Sequence, residues 1–459
     1  MLNRRTFLAT SAAALTLPRP GFAATPALTV TSRHIEVLGQ AAKVYGITNA
    51  AGGQGLMARQ GDRFAGSVLN DTASDLVLHW HGQTLATNTD DRTRPDGGAQ
   101  VAGTLDAYDF ALTPGTHWMH SHSLTEQQLL AAPMVTVEAD ATTPEATVML
   151  HDFAFRSPEE ILAELGSSGM HDMASMGKDA AADGGEGAGH DMAAMATPAM
   201  VHANDVRYDA FLANDRTLSD PQVIAVDPGL FRLRIINGAT ATAFWIMTGL
   251  PTTVIATDGT PCVPLAGQMF PIAQGQRLDL LVTIPPEGGA FPVLAQVESA
   301  RMRTGVILAT PGAKITRVAD LADADSPALD LRLDAALTAA TQPPARSAQM
   351  FHVALGMKPG YVWTLDTPMP LQAALGTRIE MMFMNPTMMM HPMHLHGHHF
   401  QVVDVGMGRF AGPMRDTVIV PPGGMVTIAV DLDKAGAWFL HCHHLYHMAG
   451  GMMTTLTVV

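Results

Sequence analysis

Apolar and polar residues alternate in short runs along most of the chain. Phe231-Leu233-Ile235, Leu278-Leu280-Val282-Ile284 and Val426-Ile428-Val430 are examples, separated by turns rich in Gly, Pro and Asp. A period of two places successive side chains on opposite faces, the mark of a half-buried strand. No long amphipathic helix competes with these runs. Many short strands with regular turn signals predict an all-β chain built from sandwiches or Greek-key β-barrels.

With 459 residues, 47% apolar and 15% charged, the chain can bury large cores, and at roughly 150 residues per domain it holds about three units. An Ala/Asp/Pro-rich stretch from about Ala319 to Arg346 marks one boundary, and the domains are expected at 25–145, 146–315 and 316–459. One stretch breaks the β pattern. From about Gly166 to Met200 the sequence is Gly, Ala, Asp, His and Met, with His-Asp-Met-Ala-x-Met at His171 to Met176 and again at His190 to Met195. It reads as a mobile insertion in the middle domain. The formal charge of −15 argues against nucleic acid and anionic lipid as partners, which the surface field would repel.

The first residues read as an address. Arg4-Arg5 is followed by Thr6-Phe7-Leu8, an apolar run through Leu17 and a small-residue end at Gly21-Phe22-Ala23. The run is shorter than the ~18 apolar residues a membrane span needs. The paired arginines resemble the twin-arginine signal, which exports folded proteins. Residues 1–24 are therefore expected to be a signal peptide, and the mature chain a monomer without membrane insertion, periplasmic or otherwise exported. Two cysteines make no disulfide framework. Cys262, in an apolar-flanked turn, reads as a structural thiol, and Cys442, between two histidines, as a metal ligand.

Nine of the 20 histidines fall into four clusters in which His-x-His recurs, and a tenth, His447, follows the last. In a strand, residues i and i+2 share a face, so each pair offers two imidazoles to one site. The clusters are His79-Trp80-His81, His120-Ser121-His122, His391-Pro392-Met393-His394-Leu395-His396 and His441-Cys442-His443. Imidazole alone suits copper, zinc, iron and nickel, and one such pair alone could be structural. The fourth cluster narrows the choice. It places two imidazoles on one face and a thiolate on the other, and His447 and Met452 follow at a spacing that can return a nitrogen and a thioether to Cys442. A His2Cys site with an axial Met is the blue-copper arrangement, used for electron transfer. The second imidazole must come from elsewhere, and His391 is the natural candidate, since Pro392 lets it face away from the His394/His396 pair.

Taken together, His-Trp-His-Gly, His-Trp-Met-His-Ser-His, His-Pro-Met-His-Leu-His-Gly and His-Cys-His-His-Leu-Tyr-His-Met-Ala-Gly-Gly-Met resemble the motifs of the multicopper oxidases, in the same order. Arg232 to Asn237 and Ile255 to Gly259 extend the likeness into the middle domain of three-domain members. The resemblance implies three cupredoxin-like domains and four copper ions. Type 1 copper would be held by His391, Cys442, His447 and Met452, and type 2 by His79 and His394. One type 3 copper would take His81, His120 and His443, the other His122, His396 and His441. Substrate would reduce type 1 copper near an exposed edge of His391, and dioxygen would be reduced to water. Asp96, in Asp96-Gly97-Gly98, resembles the family's acidic residue near the trinuclear centre, although a turn aspartate reads equally well. Where many bacterial relatives carry Glu after the last type 1 His, this chain has Met448, so proton delivery is expected to use another route. His117, His398, His399 and His444 adjoin the motifs without matching ligand positions.

Thirty methionines raise the question of substrate, because soft thioethers select cuprous ion. Met381, Met382, Met384, Met388, Met389, Met390 and Met393 stand near the type 1 motif. Met173, Met176, Met192 and Met195 lie in the insertion, where they cannot be core. The leading expectation is oxidation of Cu(I) in copper tolerance, with phenols as second substrates. The alternatives are a laccase without a copper-detoxification role and a periplasmic copper-storage protein. A zinc hydrolase fits poorly with a His2Cys site and axial Met.

Overall fold

The computed structural model describes residues 27–167, 204–344, 346 and 348–459. The expected signal peptide and nearly all of the Met/His-rich stretch lie outside them. The described chain is all-β, as the alternation predicted.

Two four-stranded sheets make the first unit. One runs in the order Gln40–Asn49, Leu28–Val37, Arg63–Asp71, Leu105–Ala111, and the other Leu56–Arg59, Ala131–Val137, Gly115–Ser121, Leu78–His81. Between them lies a core that includes Leu28, Ile47 and Met119. In it the rings of Phe64, Trp80 and Phe110 meet at centroid distances of 5.4 to 5.6 Å. The middle unit is a single nine-stranded sheet. Leu233, Ile235, Leu278, Leu280 and Val282, all from the alternating runs, are 1% exposed or less in its core. Cys262 is buried there too, as a free thiol. The third unit packs a six-stranded against a five-stranded sheet around Ile379, Phe383, Val426, Ile428 and Val430, together with Cys442 and Met452.

The Ala/Asp/Pro-rich stretch straps two cores together. Leu333 and Leu337 pack into the middle core, and Leu329 and Leu331 into the third. It is pinned by Trp245 Nε1 donating to the Pro327 carbonyl (2.8 Å) and by an isolated bridge between Cys262 and Ala339. No helix of the described residues is long and apolar enough to cross a membrane.

The methionines near the fourth motif divide by strand face. Met381, Met389, Met390 and Met393 are buried in the third core, Met382 and Met384 point outward from Arg378–Met384, and Met388 is 53% exposed. Four of the seven are thus core filling and three are left at the surface, with strand alternation dividing Met381 from Met382 and Met384.

Candidate metal centre

The strands Leu78–His81 and Gly115–Ser121 pair antiparallel with His79 opposite His120. In the third unit His391–Leu395 pairs with Gly436–Cys442, with His394 opposite His441 and Met393 opposite Cys442. Both ladders therefore set imidazoles side by side, and strand alternation sends Cys442 to the face opposite His441 and His443. The two imidazole faces meet. His79 Nε2 lies 3.3 Å from His394 Nε2, and His441 Nε2 lies 3.2 Å from His122 Nε2 and 2.9 Å from His396 Nε2. The rings of His81, His120 and His443 sit 5.1 to 5.7 Å apart. Glycine makes the closeness possible. Gly275 has φ +80°, and a Cβ there would stand 2.6 Å from His443 Cδ2.

Burial, reinforced by neighbouring imidazoles, holds His122, His394, His396 and His443 well below the usual histidine range. His441 is pushed down to about 3, by burial above all. Neutral rings each carry one N–H and one lone pair, so the outer partner decides which nitrogen faces inward. His79 Nδ1 donates to Asp91 Oδ2 (2.6 Å), His394 Nδ1 to the Asp416 carbonyl (2.8 Å), His441 Nδ1 to the Cys442 carbonyl (2.9 Å) and His396 Nδ1 to Thr93 Oγ1 (3.1 Å). His120 Nδ1 has Glu126 Oε2 at 3.1 Å. His81 is reversed: its Nε2 donates to Asp416 Oδ1 (3.0 Å), which leaves Nδ1 facing in. Buried ring nitrogens without a protein partner include His81 Nδ1, His120 Nε2 and both nitrogens of His443. Unsatisfied buried lone pairs that converge fit a cation.

On the other face, Cys442 Sγ lies 3.7 Å from both His391 Nδ1 and His447 Nδ1, which are 3.1 Å apart. The short helix Leu445–Ala449 returns His447 to Cys442. Met452 is fully buried, and its carbonyl accepts from the Cys442 N–H (3.0 Å). Burial pushes the Cys442 thiol far up, so a thiolate forms here when a metal takes the proton's place. Soft sulfur with two imidazoles suits copper.

Several expectations need correction. Asp96 does not reach the histidines: its side chain is 86% exposed and pairs with Arg94. Asp91, from the same loop, occupies that place, because the turn after Asn88–Asp90 and the Thr93 N–H to Asp91 Oδ1 bond (2.9 Å) direct it inward. His391 has no exposed edge. It is fully buried, and its outer Nε2 is 2.8 Å from Thr387 Oγ1. His447 is equally buried, but its Nε2 points to a carboxylate, Asp205 Oδ2 at 3.6 Å, and Asp205 lies beside His444 Nε2 (3.2 Å) and accepts from the Tyr361 hydroxyl (2.5 Å). Trp363 covers His447 with ring centroids 3.9 Å apart.

Sequence reasoning missed Asp91, Glu126, Asp205 and Asp416. Asp416 joins a buried ion network in which Arg277 Nη1 and Nη2 donate to its two oxygens at 2.7 and 2.6 Å, and Arg415 pairs with Asp258 and Asp334. The non-motif histidines serve around the cluster: His399 Nε2 lies 3.5 Å from Asp416 Oδ2, and Arg277 Nη2 lies 3.3 Å from His117 Nδ1.

Comparison with known proteins gives the site a context. Multicopper oxidase family models match residues 29–141, 161–312 and 342–459. The chain is 30% identical to multicopper oxidase MmcO of Mycobacterium tuberculosis, over 98% of this chain and 90% of that protein. It is 25% identical to a copper resistance protein A homolog of Pseudomonas syringae pv. tomato, covering 94% and 92%, and 25% identical to laccase-2 of Oryza sativa, covering 88% and 86%. Among solved structures, Fet3p, described as a multicopper oxidase that functions in iron import, superposes with a TM-score of 0.74 at 16% identity, covering 94% of this chain and 89% of that one. McoA of Aquifex aeolicus superposes at 0.67 with 20% identity, covering 94% and 95%.

Proposed function

The chain belongs to the multicopper oxidases, copper enzymes that use oxygen as electron acceptor, and from that premise we propose that its reductant is Cu(I), oxidised to Cu(II) in copper tolerance. The ligand division read from the motifs is part of the proposal: His391, Cys442, His447 and Met452 for type 1 copper, His79 and His394 for type 2, and His81, His120, His443 with His122, His396, His441 for the type 3 pair. The convergent nitrogens and the short N to N approaches support it. Bound copper supplies one-electron oxidation on one side and four-electron reduction of dioxygen to water on the other. Cys442 links the two sites covalently through its neighbours His441 and His443. Asp91, Glu126 and Asp416 hold the outer nitrogens of His79, His120 and His81, so each ring keeps one orientation without rearranging during turnover.

The observation that carries the choice of substrate is Asp205. A partly exposed carboxylate set against the buried Nε2 of His447 attracts a cation to the point where an electron enters. In the sequence it follows directly on the Met/His-rich stretch, whose thioethers suit Cu(I). Relatives named copper resistance protein A agree with this reading. Phenols are a second substrate class, because Tyr361 already sets a phenol hydroxyl on the Asp205 carboxylate. Export through the twin-arginine-type signal belongs to the same proposal.

The test is oxygen uptake by copper-loaded protein given Cu(I) or a phenol, with Asp205→Asn and a variant lacking residues 166–200 beside the wild type. Rapid Cu(I)-driven uptake, weakened by either change, supports a cuprous oxidase. Strong phenol turnover with negligible Cu(I) turnover would make the chain a laccase. Binding of many graded coppers with little uptake would make it a storage protein.

A further inference from the structure

The six-stranded sheet of the third unit carries a set of soft donors on its outer face that the proposed copper sites do not use. Ala348–Lys358, Arg378–Met384 and Met425–Asp431 are adjacent strands. Their inward residues Phe351, Val353, Ile379, Met381, Phe383, Val426 and Ile428 fill the core. The register puts His352 directly opposite Met382, and Met384 directly opposite Met425. These two cross-strand pairs are neighbours on one face, since Met382 and Met384 are i and i+2 in the same strand. Met350 lies one row beyond, on the same strand and face as His352. Met425 is 51% and Met350 37% exposed, His352 is exposed, and Met382 and Met384 are half-buried.

Directly opposed side chains have Cβ atoms about 4.5–5.5 Å apart, and diagonal neighbours remain within reach of long side chains. Methionine is unbranched with three rotatable bonds, so three thioethers and one imidazole can turn their donor atoms toward a common point above the sheet. Thioethers with imidazole select a soft monovalent cation over Mg²⁺ or Ca²⁺, which prefer oxygen. We propose that His352, Met382, Met384 and Met425 form a surface site for Cu(I), separate from the oxidase coppers. Sheets pack about 10 Å apart, so this face stands one sandwich thickness from the strand that carries Cys442. The site holds substrate near the catalytic domain, and its biological cation rests on the cuprous-oxidase reading above.

The experiment uses the full-length, copper-loaded protein with methionine methyl groups labelled for NMR, titrated with Ag(I), a redox-inert soft cation. The signals of Met382, Met384 and Met425 are expected to shift together at low silver, ahead of Met57 and Met407, which are 59% and 75% exposed elsewhere on the surface. The variant M382L/M384L/M425L keeps the apolar area and loses the donors. Native mass spectrometry should show it binding one silver ion fewer, with its bound copper unchanged. Equal silver counts in the two proteins, or shifts shared evenly by all exposed methionines, overturn the proposal. Oxygen uptake with Cu(I) is read separately: its absence with the silver site intact defeats the cuprous-oxidase reading and leaves the site standing.

Discussion

Replacing Asp416 by Asn changes one charge and almost no volume, yet two consequences can be worked out from the contacts. Asp416 Oδ1 accepts from both His81 Nε2 (3.0 Å) and Arg277 Nη1 (2.7 Å), and Oδ2 accepts from Arg277 Nη2 (2.6 Å), with both partners 1% exposed or less. An amide offers one oxygen where the carboxylate offers two. If the oxygen takes the Oδ2 position, the NH2 group opposes Arg277 Nη1 and faces His81 Nε2, which must then accept. The His81 proton moves to Nδ1, and the lone pair that faced the cluster is lost. If the oxygen takes the Oδ1 position, it keeps His81 and Arg277 Nη1, and the NH2 group opposes Arg277 Nη2 alone. Removing one partner of a buried ion pair costs about 3–5 kcal/mol. The lower end is expected, because Asp258 remains 3.9 Å from Arg277. Loss of a ligand-orienting partner weakens metal binding by about 10–100-fold. Denaturant unfolding of metal-free protein reads the first effect. Copper counting and electron paramagnetic resonance read the second, with the blue absorption of the Cys442 site as internal control, since that site should be untouched. A metal-free variant with wild-type stability, or a loaded variant with full copper and an unaltered spectrum, would refute the argument.

Cys442→Ser should abolish the blue absorption and oxygen uptake with every substrate, while copper bound by the eight histidines of the other face stays; metal analysis with visible spectroscopy checks this. Burial raises Glu138, but hydrogen bonds from Arg232 and Arg234 outweigh it and bring it from 4.5 down to about 2. Its contribution is therefore complete above about 4.5 and lost as pH falls through about 2. With Glu138 23% exposed, solvent screening leaves about 1–2 kcal/mol, so E138Q should be less stable by that amount at pH 7 and converge on the wild type in acid. Met381→Ala should cost about 2–5 kcal/mol as a core truncation. Met382→Ala, one residue along and outward, should cost about 0.5 kcal/mol, and equal values in denaturant unfolding would contradict the strand's orientation.

The histidine motifs were legible because their geometry is local: a strand sends i and i+2 to one face whatever surrounds it. The fold class was legible for the same reason. What the chain alone did not disclose is set by packing between distant segments. Asp90, Asp91 and Asp96 stand in one loop, and nothing in their spacing says which carboxylate turns inward; the Asp-Gly-Gly pattern favoured Asp96, and the turn at Thr93 favours Asp91. Arg232 and Arg234 alternate with Leu233 and Ile235 as residues of a solvated face would, yet they are 9% and 0% exposed. Glu138 and Glu145, outside the strand Gly229–Asn237, and Asp279 from the next strand make their burial tolerable. Asp205 could not be found from a motif, because it meets His447 across 242 residues of sequence (447 − 205).

The same contacts explain why the middle unit, which supplies none of the proposed ligands, is needed for the site. Arg277 belongs to the middle sheet, and its guanidinium donates to the Thr116 carbonyl of the first unit, to the Gly275 and Asp258 carbonyls of its own and to Asp416 of the third. Asp258 in turn accepts from the Asp416 and Thr417 backbone N–H groups. The nitrogen that His81 offers is thus set by a chain of groups running through all three units, and His81 and Asp416 are 335 residues apart. No fragment of the chain holds that arrangement. The proposed ligand set therefore comes together only when the three units have packed. A ligand set completed by folding is compatible with the proposed export of the chain as a folded protein.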